Sequence, residues 1–273
     1  MSGANLTRRT VDGVTLLGDW GRSGGVTFAF TERTGGVSEG AYASLNLGAS
    51  CGDDPASVAA NRLRAVEALG AGACAERLVN PRQVHGDHVV VVRTAEGPAF
   101  EAARNEAREG ADAVVCLAAD VPVLLCFADC VPVVLAAPGA FAVAHSGWKG
   151  TLARISGKAL AVLCEEAACS PADVCAYIGP HIGVEDYEVS EELLATFEEA
   201  FGHGVRGEGY TLDLEFAVKA ALLEGGVRED AIACVAQSTA SATDRFFSYR
   251  ASGGTCGRHG ALAFIAGDKT KEA

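Results

Sequence analysis

Residues 126–150 read CFADCVPVVLAAPGAFAVAHSGWKG, and the fold turns on how this stretch is read. It holds two apolar runs, and each carries one reactive residue. In FADCVPVVLA an acid and a thiol, Asp129 and Cys130, sit side by side within an apolar run where Val or Ile would serve folding better. In FAVAHSGWKG a strand-like run ends in an imidazole, His145, and a Ser-Gly turn follows at once. Both runs read as buried strands whose ends bring Cys130 and His145 to one site.

Working outward, ADAVVCLAADVPVLLCFADCVPVVLAAP gives three β-rich runs in succession. Their Val and Leu content with little alternation predicts strands covered on both faces. Upstream, residues 14–31 predict two short strands joined by a polar, Gly-rich turn. A loop containing SLNLG places Asn46 between two leucines, where the amide either faces a site or makes a local turn bond. Residues 53–69 begin with acids and a Pro, keep helical apolar spacing and are followed by Gly, so both helix-end signals are present. NPRQVHGDHVVVVRT is a turn followed by a strand, with His85 at its entrance. Residues 95–110 are polar and Ala/Glu-rich, and are expected to be a loop or a short exposed helix without chemistry.

Downstream of SGWKG come a helix (TLARISGKALAVLCEEA), a strand (DVCAYIGPHIG) and a helix with Ser190 as its N-cap. A third helix stops at Gly225-Gly226. IACVAQST, a glycine-rich polar segment and the closing strand ALAFIAG complete the chain. Strands and helices alternate without a linker or repeat, so a single α/β domain over residues 1–273 is expected.

At 273 residues the chain is long enough to bury a substantial core, and 49% apolar against 21% charged residues is a globular composition. The net charge of −13, with no cluster of Lys or Arg along the sequence to track a phosphate backbone, disfavours nucleic acid. No signal-like segment and no run of 18 apolar residues occurs, so no membrane role and a cytoplasmic location are expected. The ten cysteines form no CxxC pair. In a reducing compartment they are expected to be free thiols.

His85, Cys130 and His145 together form a good zinc set, because a thiolate and two imidazoles leave the fourth tetrahedral position open for catalysis. Copper is a second metal that a His₂Cys set serves, but His181, His203 and His259 are scattered through turns, too few for an oxygen-reducing cluster. His88, three residues from His85, would face the other side of a strand. A different reading makes Cys130 a nucleophile and His145 its base. Asp129 is poorly placed to orient that dyad, since neighbouring strand residues point to opposite faces. It is better suited to binding backbone amides behind the site or to supporting a metal-bound His. Arg250, Arg258 and Lys149 lie in Gly-containing loops, where cations hold phosphate or carboxylate. Trp148 is placed either to stack on a flat ring or to fill the core. No phosphate-binding glycine loop of the GxxxxGK[ST] or GxGxxG type is present.

SLNLG, GDDP, RQVHGDHVV, FADCVPVVLA, AVAHSGWKG, YIGPHIGVEDYEV and RFFSYRASGGTCGR occur in that order. This series resembles the YfiH/YlmD laccase-domain family from about residue 27 to 265. The resemblance implies a single-domain α/β sandwich with a mixed sheet and zinc held by His85, Cys130 and His145. It further implies phosphorolysis of adenosine, inosine and methylthioadenosine, together with adenosine deamination. Asn46, Lys149 and Arg250 are then candidates for phosphate or ribose contacts. A copper polyphenol oxidase is the older assignment attached to the family. A role in editing peptidoglycan precursors has also been attached to it, and this gives the thiol reading a substrate class. The chain departs from the family pattern at Phe127, Glu185 and Asp186, leaving the donor trio intact.

Overall fold

The computed structural model describes residues 4–21 and 25–267. The middle of the predicted 14–31 turn lies outside them, but its two strands are present as β2 (Val14–Gly18) and β3 (Val26–Thr31). A further strand, β1 (Thr7–Val11), precedes them and pairs with β2; its mostly exposed side chains gave no apolar signal.

Two sheets form the body. One is antiparallel, in the order β1, β2, β3, β11 (His259–Ile265), β6 (Val123–Phe127). The other is mixed, in the order β10 (Ile232–Cys234), β9 (Cys175–Ile178), β7 (Val131–Ala137), β8 (Ala140–Ser146), β5 (Ala113–Cys116), β4 (Val89–Val92). Its two outer pairs are parallel and the inner ones antiparallel.

Because successive strand residues face opposite ways, each strand feeds two cores. Phe28 and Phe30 of β3 and Leu125 and Phe127 of β6 meet Val134 of β7 and Phe141 and Val143 of β8 between the sheets. The alternate residues Val133, Leu135, Ala142 and Ala144 turn outward under α4 (Ile155–Ala167), α5 (Glu191–Phe201) and α6 (Leu214–Glu224). On the far side, Leu16, Ala29 and Leu262 pack beneath α1 (Pro55–Leu69). Every residue of β7 and β8 is buried, as expected of strands covered on both faces. The result is a mixed α/β fold of two packed sheets with helices outside.

The predicted helix-end signals are present as caps. Asp54 accepts the Ser57 amide at 2.9 Å with Pro55 behind it, Gly70 closes α1 at φ 92°, and Ser190 accepts the Leu193 amide of α5. Residues 95–110 require a correction. They form a full helix, α2 (Gly97–Glu109), that buries Phe100, Ala103 and Ala107 against the inter-sheet core. Those three small or aromatic side chains share a face at i, i+3 and i+7, a stripe the dense charges on the other face conceal. The helix expected after SGWKG is also divided. A short α3 (Trp148–Leu152) is separated from α4 by Arg154 at φ 58°.

The apolar run that contains Asp129 and Cys130 is not one strand. The chain leaves the antiparallel sheet after β6 and enters the mixed sheet at β7, turning at Ala128, Asp129 and Cys130, with Asp129 at φ 89°. The thiol is therefore displayed at a sheet-to-sheet crossover.

Candidate metal centre

β7 and β8 form a hairpin in which Val131 opposes Ser146 and Pro132 opposes His145. That register sets Cys130, one residue before β7, beside the end of β8. Phe141, Val143 and His145 share a face by period two, so the imidazole emerges on the inter-sheet side, where it packs on Phe127 at 5.4 Å between ring centroids. His85 arrives from a turn ahead of β4, itself at φ 59°, and its ring lies edge-on to His145 at 4.8 Å. The donor atoms of His85, Cys130 and His145 all fall within 4.8 Å of one another.

Asp112, just before β5, holds this arrangement and was missed in the sequence. Its carboxylate is fully buried. One oxygen accepts from His145 Nδ1 at 2.8 Å and from the His85 amide at 2.9 Å. The other accepts from the amides of Gly86 at 2.7 Å and Val84 at 3.2 Å. A single anion thus fixes the tautomer of His145, leaving Nε2 for a ligand, and pins the turn that presents His85. The available signal was an acid directly ahead of an apolar strand, in ADAVVC, the same anomaly that drew attention to Asp129.

The electrostatics follow. Burial alone would push the Cys130 thiol up, but His145 and His85 reverse this and bring it to about 6. Burial would lower His145, yet the facing thiolate and Asp112 raise it to about 9. Both shifts favour the ion pair of a Cys130 thiolate with a His145 imidazolium when no metal is bound. Asp112, opposed by burial, is held below the usual carboxylate range by His145 and the amides it accepts.

The residues present fit one metal ion. Soft sulfur and two ring nitrogens are zinc donors, and donors about 2.0–2.3 Å from a tetrahedral ion stand roughly 3.3–3.8 Å apart, a separation that groups already within 4.8 Å can reach. Gly147 leaves the room. A Cβ there would stand 3.0 Å from the His85 ring and 3.1 Å from Cys130 Sγ, although its φ of −73° would accept any residue. Gly147→Ala is accordingly expected to cut metal content at the trio at least tenfold while the melting temperature of the metal-free protein hardly moves. Metal analysis and a thermal melt of the same sample check this.

The other sequence candidates lie in three kinds of place. Asp129 accepts from Thr239 Oγ1 and from the Arg250 amide, both at 2.7 Å, so it ties the turn of Cys130 to the C-terminal loop. This is the amide-binding role expected of it, although the direction follows from a turn and not from strand alternation. Arg250 extends its guanidinium to the carbonyls of Glu188 and Asp186 and lies over the Tyr187 ring. Lys149 lies over Trp148, which is partly exposed one residue after Gly147. Asn46 is fully buried, with its amide nitrogen bonded to Gly48 O and Asp53 and its oxygen to the amides of Gly48 and Arg258, which makes it a clamp between loops. His88 pairs with Glu106, away from the trio. Asp186 accepts from Ser238 and Ser241.

Two packed sheets with a three-donor site at their crossover, backed by a buried carboxylate and open on one side, define the class. The chain belongs to the family described as multi-copper polyphenol oxidoreductase laccase, which it matches over residues 27–266. It is 40% identical over 238 residues to a purine nucleoside phosphorylase of Deinococcus radiodurans, covering 85% of this chain and 87% of that protein. The crystal structure of YlmD from Geobacillus stearothermophilus superposes with a TM-score of 0.82 at 30% identity, over 95% of this chain and 98% of that one. The structure of Bacillus licheniformis YfiH gives 0.82 at 27% identity, over 94% and 98%. No helix among the described residues is long and apolar enough to cross a membrane.

Proposed function

We propose that this protein is a zinc-dependent purine nucleoside phosphorylase of the cytoplasm, acting on adenosine, inosine and methylthioadenosine with phosphate, and that it also deaminates adenosine. The observation that carries the reading is the His85, Cys130, His145 donor set held by Asp112, and the name of the Deinococcus relative supplies the reaction class. Zinc would supply a Lewis acid with one open coordination position.

The chain's own residues do the rest. Asp112 keeps the proton on Nδ1 of His145, so that Nε2 would be free to hold the ion. Asp129 fixes the backbone of Arg250, whose guanidinium is a cation for phosphate beside Tyr187. Lys149 is a second cation, and Trp148 presents a face on which a purine stacks. Phosphorolysis breaks the bond from ribose C1′ to purine nitrogen and forms one from C1′ to a phosphate oxygen, the electron pair leaving with the base. In this reading Arg250 and Lys149 supply the positive charge that favours the incoming anion.

Purified protein incubated with adenosine tests this. Adenine that forms only with phosphate present is expected, and inosine with or without phosphate is expected from deamination. Neither product from metal-loaded protein would overturn the reading.

The low Cys130 value supports a second reading, a thiol-dependent hydrolase of a peptidoglycan nucleotide precursor with His145 as base. In chelator-treated protein Cys130 is expected to alkylate fastest of the ten cysteines, at a rate that rises as pH climbs through about 6. Zinc should block that alkylation. Activity that survives chelation and dies on alkylation would favour the thiol. A copper polyphenol oxidase is less well supported. Among the described residues one such donor trio is gathered, while His203 pairs with Glu198, His181 bonds the Gly179 carbonyl and His259 is sealed between Phe127 and Phe246.

A further inference from the structure

Three arginines converge on a small cavity on the α1 and α2 side of the molecule. The cavity, about 170 Å³, is lined by Arg62 of α1, Arg104 and Arg108 of α2, and Leu78, Val79 and Asn80 of the segment between. No carboxylate lines it, in a chain with 35 acids and a net charge of −13. Arg104 and Arg108 are four residues apart on one helix face, a like-charge spacing that opposes the helix. Arg62 adds a third cation from another helix. Folding alone gives no reason to gather these charges.

The guanidinium groups are positioned and only partly engaged. Arg62 donates Nε to Leu47 O at 2.8 Å and makes no ion pair among the described residues. Arg108 donates to Asn105 Oδ1 at 3.4 Å and likewise has no ion pair among them. Arg104 lies over the Phe100 ring and reaches Glu101 of its own helix at 3.3 Å, a pair whose carboxylate side is exposed. Asn80 donates Nδ2 to Leu124 O, so the floor of the cavity is tied to β6.

A second depression adjoins the first and shares Arg62 and Leu78 with it. It holds about 320 Å³ and is otherwise lined by aliphatic groups, among them Pro55, Val58, Leu63 and Val66. Together the two offer a cationic head pocket and an apolar trough.

We infer that this cavity is a binding site for a phosphate dianion, either inorganic phosphate or the phosphate of a monoester whose aliphatic part lies in the adjoining trough. Guanidinium groups match phosphate oxygens in pairs, and an anion there relieves the repulsion among three cations. The site is separate from the donor trio. The segment from Val79 to His85 runs alongside β6, with Val79 bridged to Val123 and Gln83 bonded to Cys126, so Asn80 and His85 stand at its opposite ends. The inference does not depend on the catalytic reading.

Arginine modification tests it on the intact chain. The protein is treated with phenylglyoxal in inorganic phosphate, in n-butyl phosphate, and in chloride at equal ionic strength, and modified arginines are mapped by mass spectrometry. Phosphate should slow modification of Arg104 and Arg108 at least fivefold relative to chloride. The thermal shift that phosphate produces through this site should weaken about tenfold in the double variant R104Q/R108Q and be partly kept in R104K/R108K. Stronger shielding by butyl phosphate would assign the trough to an ester chain, and equal shielding would assign the site to inorganic phosphate. Shielding confined to Arg250, or equal shielding by chloride, would overturn the inference.

Discussion

Cys130→Ala is expected to abolish both stoichiometric zinc uptake and nucleoside phosphorolysis while leaving a folded protein. The thiol is the anionic donor of the trio, and its value of about 6 means that the ligand form is already populated at neutral pH. Removing an outer partner of a ligand typically costs about 10–100-fold in metal affinity, and losing the ligand itself should exceed that. Serine would not substitute, because its hydroxyl does not ionise in this range. The fold should survive, since Cys130 sits in a turn and the strands it joins are held mainly by buried apolar contacts. Metal analysis, a product assay and a thermal melt on one preparation separate the outcomes. Full activity in a zinc-free Cys130→Ala protein would refute the proposed centre.

Asp112→Ala should be the more damaging substitution for stability. It strands the buried Nδ1 group of His145 and takes the acceptor from the amides of Val84, His85 and Gly86 on the partly exposed turn. Removing one member of a buried charged pair costs about 3–5 kcal/mol, enough for a large fall in melting temperature. The turn carrying His85 loses its anchor as well, so metal affinity should fall even where the protein remains folded. Asp112→Asn keeps one acceptor and should be intermediate in both measurements. The sign of the pH dependence follows from the depressed carboxyl. Its contribution is complete above the ordinary aspartate range and is lost as pH falls through the lower folded value, so wild-type protein should lose stability in acid more steeply than Asp112→Asn. Parallel acid titrations followed by circular dichroism would reveal equal slopes if the carboxylate had no such role.

The local patterns located α1, α5, α6 and the buried strands, and the misplaced polar residues Cys130 and His145 pointed to the candidate site. Each is a short-range property, because caps, periodicity and an acid or thiol among valines are visible within a few residues. The helix α2 escaped because its buried stripe of Phe100, Ala103 and Ala107 is interrupted by Glu and Arg, so composition masked its period.

Asp112 escaped for a longer-range reason. Nothing adjacent in sequence shows that the acid before β5 meets both the turn at residues 84–86 and His145 near the end of β8, 33 residues on. That meeting depends on β5 and β8 being neighbours in the mixed sheet. The arginine cavity is similar, since Arg62, Arg104 and Arg108 are dispersed along the chain and meet only where the fold brings them to line one cavity.

The stretch 126–150 shows the division most clearly. Sequence marked Cys130 and His145 as candidate site residues and determined that their runs are buried, because burial follows from local apolarity. Tertiary structure decided that the chain crosses between sheets at Cys130, that hairpin register sets the thiol beside the imidazole, and that Gly147 leaves an opening between them. Residue type fixes which chemistry is available, but distance and direction come from packing against elements far away in the chain. That is why the donor set could be named from sequence and its supporting carboxylate could not.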